Sequence, residues 1–175
     1  MDITTKIRTI PDYPKPGILF RDITTLLGDG AGFKHTVDSL AQRYSGAAIS
    51  KVAGIESRGF ILGAPLAYQL GAGFVPLRKR GKLPAVTTGV DYTLEYGVDR
   101  LEVHLDAITP GERVLVVDDL IATGGTALAA CELVRSVGGT IVECCFVIDL
   151  PDLAGRVRLA QAGFTSFALC EFAGH

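Results

Sequence analysis

The most constraining feature of this chain is an apolar run, Val114-Leu115-Val116-Val117, that stops at two adjacent carboxylates, Asp118 and Asp119. A strand apolar at every position must be covered on both faces, which a largely parallel sheet flanked by helices provides. The surrounding sequence repeats the pattern. Residues 52–55 read as a buried strand that feeds a helix beginning near Arg58, and residues 141–148 supply a further apolar strand. Phe33, Val37, Leu40 and Tyr44 recur at helical spacing, so they mark an amphipathic helix. A weak helix is expected over 153–162 and a last strand near 165–169. Earlier in the chain, residues 91–105 form two strand-like runs around a Gly97 turn, with Leu101, Val103 and Leu105 alternating with Glu102 and His104. The charged, glycine-bearing stretch 78–89 reads as a loop. The fold class is therefore α/β, and ligands of such sheets bind beyond the carboxyl ends of the strands.

The 175 residues suit one domain. With 48% hydrophobic and 21% charged residues the chain is not disordered. Its net charge of −2 gives no broad basic face for nucleic acid. Residues 60–77 carry no charge over a length that touches the limit for a spanning helix. Gly63, Pro65, Gln69, Gly71 and Gly73 interrupt them, so a buried helix to Leu70, a Gly71 stop and a strand at 74–77 is the better division, and no membrane association is expected. Cys131, Cys144, Cys145 and Cys170 form no C-x-x-C pair. Cys144 and Cys145, as neighbours on a strand, should point to opposite faces. With a polar start at Met1-Asp2-Ile3-Thr4 and no secretory leader, a reduced cytoplasmic protein is expected. His35, His104 and His175 are too scattered to suggest a metal site.

The chemistry concentrates after the apolar strand, in Asp118-Asp119-Leu120-Ile121-Ala122-Thr123-Gly124-Gly125-Thr126. Glycines let the backbone approach a ligand, the threonines add hydroxyls, and the helix N-terminus offers unpaired N–H groups, so Ala122, Thr123, Gly124, Gly125 and Thr126 can cradle a phosphate. The segment is neither a Walker A loop nor G-x-G-x-x-G. Two carboxylates beside an anion site would repel phosphate, so they should face hydroxyl donors or a cation. A ribose 5-phosphate satisfies both halves. A second anion site is available at Glu56-Ser57-Arg58-Gly59, where Ser57 either meets a ligand or merely caps the helix. Arg78-Lys79-Arg80-Gly81-Lys82 adds a cluster of cations.

The segment Val114-Leu115-Val116-Val117-Asp118-Asp119-Leu120-Ile121-Ala122-Thr123-Gly124-Gly125-Thr126 resembles the phosphoribosyl pyrophosphate (PRPP) motif of the type I phosphoribosyltransferases. Four further segments, Gly54-Ile55-Glu56-Ser57-Arg58-Gly59-Phe60, Arg78-Lys79-Arg80-Gly81-Lys82-Leu83-Pro84, Leu94-Glu95-Tyr96-Gly97 and Pro16-Gly17-Ile18-Leu19-Phe20-Arg21-Asp22, look like those of the family's adenine-using members. The resemblance implies a Rossmann-like parallel-sheet core in a single domain, 1–175, with a small N-terminal hood at about 1–30 and a flexible catalytic lid hairpin at about 87–104. It implies that residues 122–126 hold the 5-phosphate and that Asp118 and Asp119 meet the ribose hydroxyls, in unequal roles. Ser57, Arg58, Lys79 and Lys82 fall at the pyrophosphate, with Arg58 also catalytic. Glu95 would be the acid of the lid, and Tyr96 would help close it. Leu19, Phe20 and Arg21 would hood the purine, with Ile121 against its other face, where relatives often carry leucine. The implied reaction joins adenine and PRPP into AMP and pyrophosphate, with Mg²⁺ carried mainly by the ligand and no direct protein site for the metal. Pairing as a homodimer is implied too. Transfer to another purine, or a non-catalytic PRPP sensor, are the competing readings.

Overall fold

The computed structural model describes residues 1–94 and 96–174. Hydrophobic periodicity fixes the main elements. The strands are β1 (Arg8–Pro11), β2 (Leu19–Asp22), β3 (Lys51–Ile55), β4 (Gly73–Lys79), β5 (Thr87–Leu94), β6 (Gly97–His104), β7 (Arg113–Ile121), β8 (Thr140–Asp149) and β9 (Ser166–Glu171). The helices are α1 (Thr24–Leu27), α2 (Gly30–Tyr44), α3 (Arg58–Leu70), α4 (Gly125–Ser136) and α5 (Gly155–Gln161). Among the described residues the strands form a seven-stranded sheet, β5-β6-β4-β3-β7-β8-β9, and a separate pair, β1-β2. Strands β4, β3, β7, β8 and β9 run parallel, whereas β5 and β6 form an antiparallel hairpin that joins β4 through Arg78↔Glu102 and Lys79↔Leu101.

Alternation along each strand divides the core into two layers. Val114, Val116 and Cys144 pack into one cluster with α4 residues Ala130, Leu133 and Val134. Leu115, Val117 and Cys145 pack into the other with Leu40 of α2 and Leu62 and Leu66 of α3. Cys144 and Cys145 thus face opposite layers, as strand geometry requires, and all four cysteines are free. The uncharged stretch 60–77 divides where expected: α3 stops at Gly71, whose φ is 66°, and β4 follows. No helix among the described residues is long and apolar enough to cross a membrane. The stretch expected as a loop over 78–89 is shorter, because β4 runs on to Lys79 and β5 begins at Thr87.

The N-terminal segment is tied to the core where β2 ends. The Asp22 carboxylate accepts from the Thr24 hydroxyl (2.6 Å) and backbone N–H (2.9 Å), and from Arg8 Nε (2.9 Å). These bonds, that from the Thr24 hydroxyl first and from Arg8 next, hold its pKa at about 2, below the ordinary 3.8. A depressed carboxylate pKa stabilises the fold above the unfolded value, and the contribution vanishes as pH falls through the folded one. Asp22→Asn should therefore lower Tm at neutral pH. The gap to the parent protein should close between pH 3.8 and about 2, measured by thermal unfolding across that range.

Candidate active site

Strand β7 does not end at the acid pair but continues through it, so Asp118 and Asp119 lie on regular strand and point apart. The buried Asp119 accepts from Arg58 Nε at 2.5 Å. Asp118 is half-buried in the cleft wall. That burial, and then the charge of Asp119, push its carboxyl well above the usual range. The two acids thus stand in unequal surroundings. Gly59 makes the approach of Arg58 possible: a Cβ there would sit 2.8 Å from the Val117 carbonyl oxygen and 3.1 Å from Asp118 Oδ1. Ser57 makes no capping bond to α3, so its hydroxyl is not used up as a helix cap.

After Ile121 the chain turns at Gly124, with φ of 86°, and enters α4 without a side-chain cap. The first N–H groups of α4 are left for an anion. The turn is braced from outside by Gly155 at the start of α5. A Cβ on Gly155 would lie 2.3 Å from the Ala122 carbonyl oxygen, and one on Gly124 would lie 2.9 Å from that of Gly155.

Two cavities open around this framework. One, of about 500 Å³, is lined by Leu19, Phe20 and Arg21 of the N-terminal segment, termed its roof, by Ile121, Leu150 and Leu153, termed its floor, and by residues 122–126. The other, of about 360 Å³, is lined by Glu56, Ser57, Lys79, Tyr92 and Asp99. Arg58, Asp118, Asp119 and Thr126 front both. The cations of the second cavity are matched by carboxylates. Lys79 Nζ lies 2.7 Å from Asp99, which holds the lysine pKa up, and Glu56 meets Arg78 at 3.3 Å and Lys82 at 3.1 Å.

The structure therefore brings together Leu19, Phe20, Arg21, Ile121, Ser57, Arg58, Lys79, Asp118, Asp119 and residues 122–126. Lys82 stands one step back, held by Glu56. Tyr96 is 75% exposed, and the Lys15 ammonium of the proline-rich loop sits 4.1 Å from its ring centre, a contact between hood and lid. Glu95 lies outside the described residues, as does His175. Leu150, Leu153, Gly155, Tyr92 and Asp99 are site residues that the sequence did not single out. Only Gly155, a glycine opening a weak helix, carried a signal that could have drawn notice. Among the described residues no three His, Cys, Asp or Glu side chains converge to hold a metal ion.

An acid pair on strand, a glycine turn with unused amides at a helix start and a second cavity carrying Arg58 and Lys79, gathered at the carboxyl ends of interior strands, suit a sugar-phosphate transferase. The chain belongs to the phosphoribosyltransferase family, whose phosphoribosyl transferase domain model matches residues 25–161. Within that family it is similar to adenine phosphoribosyltransferases. It is 63% identical over 175 residues to that of Nitrosospira multiformis, covering 100% of both chains. Among solved structures, adenine phosphoribosyltransferase from Thermoanaerobacter pseudethanolicus superposes with a TM-score of 0.93 at 48% identity, covering 98% of each chain. The Giardia lamblia APRTase complexed with 9-deazaadenine gives 0.92 at 38% identity, covering 98% of this chain and 96% of that one.

Proposed function

We propose that the protein transfers the 5-phosphoribosyl group of PRPP to N9 of adenine, releasing AMP and pyrophosphate. The observation that carries this reading is the shared wall. Arg58, Asp118, Asp119 and Thr126 front both cavities, so an anomeric carbon at their junction faces a largely apolar slot on one side and, on the other, a polar pocket that presents Arg58 and Lys79 among carboxylates. The slot suits a purine and the pocket a leaving pyrophosphate. That the Nitrosospira relative is named for adenine, and that the Giardia relative is complexed with an adenine analogue, supports adenine as the base.

The proposed chemistry follows from this placement. Residues 122–126 hold the 5-phosphate through main-chain N–H groups, and the acid pair orients the ribose hydroxyls. N9 forms its bond to C1 as the bond from C1 to pyrophosphate breaks, through a transition state with oxocarbenium character, and the N9 proton leaves to a base. Arg58 and Lys79 receive charge as it builds on the departing oxygen. Exclusion of water by the lid protects PRPP from hydrolysis. Adenine presents a donor at its amine and an acceptor at N1, an order that hypoxanthine reverses, so main-chain groups of Leu19 and Arg21 can discriminate between them.

We infer that Mg²⁺ enters with PRPP. It prefers oxygen ligands and is commonly held by substrate phosphates with few protein carboxylates, so no direct protein ligand is required. When bound it offsets charge on the leaving group. Pairing of two copies and a cytoplasmic location are part of the same reading. Ile61 and Tyr68, 44% and 88% exposed on α3, offer an apolar face for pairing, and the free cysteines suit a reducing compartment.

The test is to supply adenine, hypoxanthine or guanine with PRPP and Mg²⁺ and follow nucleotide formation. AMP as the dominant product supports the reading. A different preferred base, or none, overturns it. Glu95→Gln should lower kcat while circular dichroism stays unchanged, and undiminished turnover would remove Glu95 from the reaction.

A further inference from the structure

Residues 172–174, after β9, carry no motif, yet they join the roof of the larger cavity to its floor. On the floor side the Phe172 N–H donates to the Asp149 carbonyl at 3.0 Å, and the Gly174 N–H donates to Asp152 Oδ2 at 2.7 Å. Asp149 and Asp152 flank Leu150 and Leu153, which line the cavity. On the roof side Arg21 Nη2 donates to the Ala173 carbonyl at 2.8 Å, and its guanidinium lies over the Phe172 ring at 4.5 Å. Arg21 Nη1 is taken by the Thr9 hydroxyl at 2.6 Å, while Nε is buried without a partner among the described residues. Stacking on Phe172 is thus what compensates the desolvated face of this cation.

The roof needs such support. Among the described residues strand β2 pairs only with β1, outside the main sheet, and its core attachment begins beyond Arg21, at Asp22, Ile23 and Leu26. Leu19 and Phe20 therefore project from their anchor, and the gap between them and Leu150 sets what thickness of ligand fits. We propose that residues 172–174 form a bracket that fixes this gap, with Phe172 acting through Arg21 as a positioning residue for the planar base. The proposal rests on the functional reading above and deepens it. It places the effect on the base more than on the sugar phosphate, because among the described residues the bracket's hydrogen bonds and its ring contact go to Arg21, Asp149 and Asp152 and not to residues 122–126, Arg58 or Lys79.

The experiment compares Phe172→Ala, Phe172→Leu, Phe172→Tyr and Asp152→Ala with the parent chain, reading KM for adenine, KM for PRPP, kcat and Tm. Loss of a stacked cation and its ring should raise KM for adenine by about three- to ten-fold in the Ala and Leu variants. KM for PRPP should stay within about two-fold, and Phe172→Tyr, which keeps the ring, should restore the parent value. Asp152→Ala, at an exposed position, should move KM for adenine in the same direction should Phe172→Ala fail to fold. A parent protein that forms AMP with variants whose KM for adenine is unchanged overturns the bracket alone. Equal rises in both KM values, or a Tyr variant no better than Ala, overturn it too, because they would mark a general structural role. A parent protein that forms no AMP fails the functional reading itself.

Discussion

Gly155→Ala should reduce kcat/KM for PRPP by about 100-fold, the scale expected when reacting groups are displaced by about 1 Å. The added methyl would lie 2.3 Å from the Ala122 carbonyl oxygen, 2.8 Å from Ile121 Cγ1 and 2.9 Å from the Gly124 N. The first and last of these are backbone atoms of the phosphate turn itself, so the clash cannot be relieved by rotating a side chain. The turn must move, and with it the amides that hold the sugar phosphate. Because Gly155 opens a short helix and its φ is not in the left-handed region, alanine brings no backbone strain of its own. Steady-state kinetics with PRPP varied, beside a Tm measurement, separates displacement of the turn from loss of fold. Parent-like kinetics would show that α5 does not brace the turn.

Arg58→Ala should lower kcat/KM for PRPP by roughly 10- to 100-fold, since a hydrogen bond to a charged group contributes about 1.5–3 kcal/mol. Arg58 fronts both cavities, but its Nε is turned toward Asp119 and the second cavity also holds Lys79. Adenine binding should therefore change far less than PRPP use. The variant also strips Asp119 of its partner at 2.5 Å and leaves a buried carboxylate beside Asp118. A fall in Tm should accompany the kinetic effect, and Arg58→Lys should recover part of both. Equal losses for adenine and PRPP would count against a role at the leaving group.

The parallel sheet was legible because burial on both faces leaves a plain mark: Val114-Leu115-Val116-Val117 allows no solvent-facing side. The phosphate turn was legible for the converse reason, since glycines and hydroxyls beside such a strand have little structural work to do. The β1–β2 pair was not, because Arg8-Thr9-Ile10-Pro11 is short and exposed and has no alternation to read. Asp99 and Tyr92 were hidden within a hairpin whose pattern explained them as strand residues. Their proximity to Lys79 is set by the pairing of β6 with β4, which no local signal encodes. Gly155 is separated from Ala122 by more than thirty residues, and only the crossover through α4 and β8 brings them together.

The pairing of Arg58 with Asp119, Lys79 with Asp99 and Lys82 with Glu56 has a consequence for turnover. On the proposed function, a polyanion entering this crevice competes with resident carboxylates for Arg58 and Lys79. On departure the same carboxylates stand ready to reclaim their cations. Internal acids thus act as rivals to the product, so grip can be firm while the chemistry proceeds without turning the crevice into a trap.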